Sequence, residues 1–151
     1  MIRKLLPGDK ADYIRMAKAF YASDAVAADI PEKHIADTFE ELMRSEEYAA
    51  CLVSEENGVL DGYALLAFTW SQEGGGRATW IEELYIEPHA RGGGKGSRLL
   101  TCILNNYPSM RFRLETEPEN TGANRLYKRF GFEELPYSQL VRDRKNVDRN
   151  I

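Results

Sequence analysis

Apolar positions along the chain recur with a period near two in some stretches and near three and a half in others, dividing it into strands and helices. Residues 2–6 read as a short strand stopped by Pro7-Gly8, after which Asp9 is placed to cap a helix with apolar Tyr13, Met16, Ala17 and Phe20. Residues 23–30 read as a loop. Pro31 then opens a second helix, to about Ser45, carrying Ile35, Phe39, Leu42 and Met43. Three strands follow at residues 48–54, 59–70 and 77–87, divided by Glu56-Asn57-Gly58 and by Gly74-Gly75-Gly76. Residues 94–106 return to helical spacing through Leu99, Leu100, Ile103 and Leu104, and residues 110–115 alternate as a strand. Residues 121–129 form a short helix closed by Gly131, residues 132–141 are strand-like around Pro136, and residues 142–151 are a polar tail.

Strands joined by tight turns pair antiparallel, and those joined through a helix pair parallel. The order therefore predicts a mixed, mostly antiparallel sheet of about six or seven strands with about four helices on its two faces, an α/β fold bordering on α+β. A length of 151 residues fits one domain spanning the whole chain. The longest apolar run, from Tyr63 to Trp70, is far short of the roughly 20 residues a membrane helix needs. No apolar segment of leader length precedes Pro7, and Cys51 and Cys102 sit in apolar stretches, which suits reduced thiols in a cytoplasmic protein. The net charge of −4 argues against nucleic acid as a partner.

The stretch that carries chemistry runs from Trp80 to Leu100, where a strand feeds a glycine cluster that opens a helix. Glycines let the backbone curl closely round a ligand, and the first N–H groups of the helix point outward as an anion site suited to pyrophosphate. Arg91, Lys95 and Arg98 add positive charge there. A nucleotide triphosphate loop needs Ser or Thr after its Lys, but Gly96 follows Lys95. A dinucleotide fingerprint needs a third glycine where Ser97 stands. Arg91-x-x-Gly94-x-Gly96 after Glu83-Leu84-Tyr85-Ile86 fits a third pattern.

In this segment, and in a second block at Asn120-x-x-Ala123-x-x-Leu126-Tyr127-x-x-Phe130-Gly131-Phe132, the chain resembles the GNAT superfamily of acyl-CoA-dependent N-acyltransferases. The element order matches that fold over most of the chain. The resemblance implies that the main chain of Leu84, Tyr85 and Ile86 bonds the pantetheine arm of acetyl-CoA, the cosubstrate. The amides of Arg91, Gly92, Gly93, Gly94, Lys95, Gly96 and Ser97 would cradle its pyrophosphate. Asn120, Ala123 and Asn124 would lie beside pantetheine and adenosine, with Arg125, Lys128 or Arg129 in reach of the 3′-phosphate. Tyr127 stands at the family's tyrosine position, where it would both touch the cofactor and protonate the departing thiolate.

An amine with a pKa of about 10.4 is neutral only about once in two thousand molecules at pH 7, so attack on a thioester needs a base. Strand alternation puts Glu82 and Glu83 on opposite faces, so one of them should enter the acceptor cleft. Glu82 is favoured, because the family often carries an acid just before the pantetheine contacts, with Glu83 and Glu115 as alternatives. The N–H of Ile86 is a candidate donor to the developing oxyanion. Neither cysteine is placed as a nucleophile, so direct attack in a ternary complex is expected. His34 and His89 lack metal-ligand spacing, and no metal is expected. Residues 23–50 carry a net charge of −6 and the remainder +2, which suggests an acidic cleft wall and a cationic small-molecule amine as acceptor. Phe20, Tyr21, Trp70 and Trp80 are candidate cleft aromatics, with core packing as the plainer role. A protein lysine or N-terminal acetyltransferase and a non-catalytic acyl-CoA sensor are the competing readings, and a homodimer through sheet extension is compatible with the last strand.

Overall fold

The structure, a computed structural model, describes residues 1–24, 26 and 29–144. Five strands form one sheet in sequential order: β1 (Ile2–Lys4), β2 (Ala49–Glu56), β3 (Val59–Ser71), β4 (Gly76–Ile86) and β5 (Arg111–Leu114). The first four pair antiparallel, while β5 lies parallel to β4 because a helix carries the chain across between them. The hairpin joining β2 and β3 turns on Asn57 and Gly58, both with positive φ (52° and 78°), the pairing a twisted two-residue turn demands.

Helices α1 (Lys10–Tyr21) and α2 (Glu32–Arg44) cover one face of the sheet, and α3 (Lys95–Asn106) and α4 (Thr121–Arg129) cover the other. Alternate strand residues serve the two faces. Cys51, Val53, Tyr63, Leu65 and Tyr85 pack under Tyr13, Met16, Phe20, Ile35 and Phe39. Leu52, Ala64, Leu66 and Ile81 pack against Leu99, Leu100 and Ile103. Both cysteines are free thiols, Cys51 buried and Cys102 half-buried.

The structure departs from the sequence reading in two places. The sheet has five strands, and residues 132–141 form no strand. Their apolar residues do not alternate, Pro136 offers no N–H to a ladder, and Leu135, Tyr137, Leu140 and Val141 are exposed. Asp9 makes no side-chain cap to α1. Its carboxylate instead accepts the Leu6 N–H (2.8 Å) and the Arg3 guanidinium (2.7 Å), closing the turn before the helix. Of the expected polar tail, residues 142–144 lack regular structure and the rest lies outside the described residues.

Candidate active site

The site is built on an irregularity in β4. Leu65 lies opposite Glu83, while its neighbour Leu66 lies opposite Ile81, so Glu82 is an extra residue in the β4 strand. The bulge resets the alternation. Ile81 and Leu84, three residues apart, both face α3, and the consecutive Glu82 and Glu83 both line one cavity under α1 and α2. The expectation that only one of the two enters the cleft is thereby corrected. That cavity encloses about 300 Å³ and is bounded by Tyr13, Ala17, Tyr21, Ile30, His34, Ile35, Thr38 and Leu65 as well. A larger groove of about 440 Å³ beside Met1, Ser54 and Cys102 lacks this carboxylate pair.

The two carboxylates differ in environment. Glu83 is 8% exposed, and each of its oxygens accepts a phenol: Oε1 from Tyr63 (2.6 Å) and Oε2 from Tyr21 (2.8 Å). Burial pushes its pKa up, the two phenols oppose that, and nearby Glu82 adds to the rise. Glu82 stands on the open rim. Its pKa is raised by partial burial, with the charge of Glu115 contributing, so it is suited to taking up a proton. Tyr63 comes from β3 and Tyr21 from the end of α1, far from Glu83 in sequence, so no local spacing marks them as its partners; the sequence offers Tyr21 only as a candidate cleft aromatic. Of the other aromatics, Phe20 is core, Trp70 is 79% exposed, and Trp80 lies beneath Arg113, whose guanidinium carbon is 4.3 Å from the ring centre. His34 is exposed and lines the rim of this cavity.

Next to the carboxylates the sheet opens. β5 pairs with β4 only as far as Ile81 and Leu114, whereas β3 stays paired with β4 through Gly62 and Ile86. The edge of Leu84, Tyr85 and Ile86 that faces away from β3 therefore has no strand partner among the described residues. The chain then passes through a short turn at Pro88–Ala90 into the glycine loop, where Gly92 and Gly94 adopt positive φ (83° and 76°). Gly94 caps α3, and the first N–H bonded within the helix is that of Arg98, to the Gly94 carbonyl (3.0 Å). The amides of Lys95, Gly96 and Ser97 thus lie at the helix end without an intrahelical partner, beside Gly92 and Gly93.

The basic side chains around this loop each have a partner, but only the charge of Lys95 is met by carboxylates, so Arg91 and Arg98 keep the positive charge expected of them. Lys95 is ion-paired with Asp61 and Glu56, Arg98 donates to the Gly93 carbonyl (2.9 Å), and Arg91 donates to the Ile86 carbonyl (2.9 Å). On α4, Asn120 accepts the Ala123 N–H (3.4 Å). Asn124 donates to the carbonyls of Glu117 and Pro118 and accepts from Thr116, so its amide braces the β5–α4 connection. Ala123 is half-buried and Arg129 exposed. Tyr127 packs in the α3-side core, 5.9 Å from the Phe132 ring, and burial pushes its phenol up to about 12. Its hydroxyl has no hydrogen-bond partner among the described residues. A Cβ at Gly96 would come within 3.1 Å of Leu126, so the glycine lets α4 lie close to the head of α3.

The acids of α2 and its flanks are largely spent on surface ion pairs. Glu32, Asp37, Glu40, Glu41, Glu46 and Glu47 face Lys18, Lys33, Lys10, Arg44, Lys4 and Arg44. Negative charge inside the cavity comes from Glu82 and Glu83 instead.

A bulged, half-opened strand feeding a glycine turn, with a tyrosine-bearing helix alongside, agrees with a profile of the acetyltransferase (GNAT) family that matches residues 15–132. The chain belongs to this family. It is therefore an acyltransferase. The acetyltransferase is 32% identical over 103 residues to the N-acetyltransferase YhfO of Bacillus subtilis (strain 168), covering 66% of this chain and 68% of that one. It is 26% identical over 157 aligned positions to the thialysine N-epsilon-acetyltransferase of Mus musculus, with 91% and 86% covered. Among solved structures, a predicted acetyltransferase with acetyl-CoA from Clostridium acetobutylicum superposes with a TM-score of 0.78 at 19% identity, over 94% and 95% of the two chains. No helix among the described residues of the acetyltransferase is long and apolar enough to cross a membrane.

Proposed function

We propose that this acetyltransferase moves the acetyl group of acetyl-CoA to a primary amine of a cationic small molecule, by direct attack in a ternary complex. The observation that carries the reading is the β4 bulge, which sets two carboxylates in one cavity at the point where the strand edge opens. Pantetheine lies along Leu84, Tyr85 and Ile86 as an added strand, its amides bonding to the unpaired edge. The pyrophosphate sits on the amides of the glycine loop, Arg91 through Ser97, at the head of α3. Asn120, Ala123 and Asn124 flank this arm, and Arg129 lies in reach of its phosphorylated end.

The acceptor enters as an ammonium, drawn by the charge of Glu82 and Glu83. Glu82 takes its proton, directly or through a water, because both oxygens of Glu83 are already engaged by phenols. The free amine attacks the thioester carbon, and a backbone N–H of the open edge stabilises the oxyanion. As the tetrahedral species collapses the carbon–sulfur bond breaks and Tyr127 gives its proton to the thiolate. The amine nitrogen sheds its second proton, Tyr127 recovers one from solvent, and one proton is released overall. A relative acting on thialysine, itself a cationic amine, supports this acceptor class.

The test is a panel of amines with acetyl-CoA, read by release of free thiol. Polyamines and lysine analogues should turn over best. Faster turnover of neutral or anionic amines, such as aminosugar phosphates or glutamate, would overturn the assignment.

A further inference from the structure

We infer that Asp61 is a positioning residue which holds both ends of the glycine loop, so that the loop's amides are set for pyrophosphate before the cofactor arrives. The inference rests on the placement of pyrophosphate proposed above.

Asp61 lies near the start of β3 and is 4% exposed. Its backbone carbonyl accepts the N–H of Glu87 (2.8 Å), where β4 ends and the loop begins. Its carboxylate pairs with the ammonium of Lys95, the first residue of α3, where the loop ends. One residue thus grips the chain on both sides of residues 88–94. The neighbouring position tightens the grip: a Cβ at Gly62 would stand 2.8 Å from the Tyr85 carbonyl oxygen, so β3 and the end of β4 meet here without a side chain between them. Glu56 adds a second, more exposed acid to Lys95 at 2.5 Å.

The arrangement settles what Lys95 does. Its ammonium, with 12% of the side chain exposed, is held and neutralised by two carboxylates. Burial alone would raise the carboxyl pKa of Asp61, but the Lys95 ammonium, with the Ser54 hydroxyl, outweighs it and holds the group ionised. Lys95 is therefore a strut that fixes the head of α3, and the pyrophosphate is left to main-chain donors, which need an immobile loop. Placement errors of an ångström are costly for such donors.

The discriminating experiment uses the full-length enzyme and two acetyl donors: acetyl-CoA, and S-acetyl-pantetheine, which lacks the pyrophosphate. Asp61→Asn keeps the backbone contact and removes the charge that holds Lys95. The strut account predicts that KM for acetyl-CoA rises about tenfold, with kcat and the kcat/KM for S-acetyl-pantetheine changed less than about twofold. Glu56→Gln, which removes the second acid on Lys95, should shift the KM for acetyl-CoA in the same direction by a smaller amount. If Lys95 instead binds the pyrophosphate, Asp61→Asn frees it and acetyl-CoA binds more tightly, which overturns the inference. Equal losses with both donors would also overturn it, since that is what general loosening of the fold produces. Should Asp61→Asn fail to fold, Glu56→Gln, at the exposed second acid on Lys95, carries the same comparison: a higher KM for acetyl-CoA alone supports the strut, and tighter acetyl-CoA binding overturns it. Failure of the underlying reading is separate: wild-type enzyme that binds pantetheine and CoA equally well has no pyrophosphate site for Asp61 to support.

Discussion

Replacing Glu82 by Gln removes the proposed base while leaving its shape. The amine then has to arrive already neutral, which about one molecule in two thousand does at pH 7. Because general-base catalysis contributes typically 10²–10⁴-fold, kcat/KM at pH 7 should fall about 10²–10³-fold. Activity should then recover roughly tenfold per pH unit on raising the pH, as the neutral amine fraction grows. The fold should be little affected, because Glu82 sits on the rim and accepts no hydrogen bond from the described residues. Glu83→Gln makes the opposite contrast. It replaces a buried carboxylate that accepts phenols at 2.6 and 2.8 Å, so its first effect is a loss of stability of roughly 1.5–3 kcal/mol, the range for hydrogen bonds to a charged group. The assay is thiol release against pH, together with denaturant unfolding, for wild type and both variants. Wild-type kcat/KM should climb through an apparent pKa above the usual glutamate range and then level off, the two carboxylates titrating as a coupled pair. A Glu82→Gln profile that overlays the wild type, or a Glu83→Gln variant that shows the tenfold-per-unit recovery instead, would refute the division of roles.

Tyr127→Phe should lower kcat about 10²-fold while the calorimetric Kd for CoA moves less than about threefold, since burial already keeps the phenol protonated and only its proton is lost. Gly62→Ala should cost about 1–3 kcal/mol in denaturant unfolding, because its Cβ would lie 2.6 Å from Ile86 Cδ1 and 2.8 Å from a carbonyl oxygen. Asp61 and Asp9 are both held below the ordinary aspartate pKa, so each stabilises the native state above about pH 4 and loses that contribution as pH falls through its folded value. Thermal melting between pH 5 and 2.5 should therefore fall less steeply in Asp61→Asn than in wild type.

The fold was legible where local chemistry and periodicity agree. Ile35, Phe39 and Leu42 announce the buried face of α2, Asn57-Gly58 announces its hairpin, and the glycines before Lys95 announce a loop opening a helix. The bulge was not legible. Residues 80–86 contain no Gly or Pro, and their pattern reads as an unbroken strand; only the cross-strand register with Leu65 and Leu66 reveals the extra residue. The clamp on Glu83 joins residues 20 and 62 positions away, and the strut on Lys95 joins acids 34 and 39 positions away, separations that no local spacing encodes. Residues 132–141 misled in the other direction. Their apolar content resembles a strand, but irregular spacing around Pro136 gives them no face to bury.

The most direct measurement is a crystal structure of the enzyme with CoA. The account predicts pantetheine amides bonded to the main chain of Leu84, Tyr85 and Ile86, pyrophosphate on the amides of residues 92–97, and the sulfur beside Tyr127 at the mouth of the Glu82 cavity. CoA bound in the groove beside Met1 and Cys102, or a β4 edge closed by another strand, would contradict it.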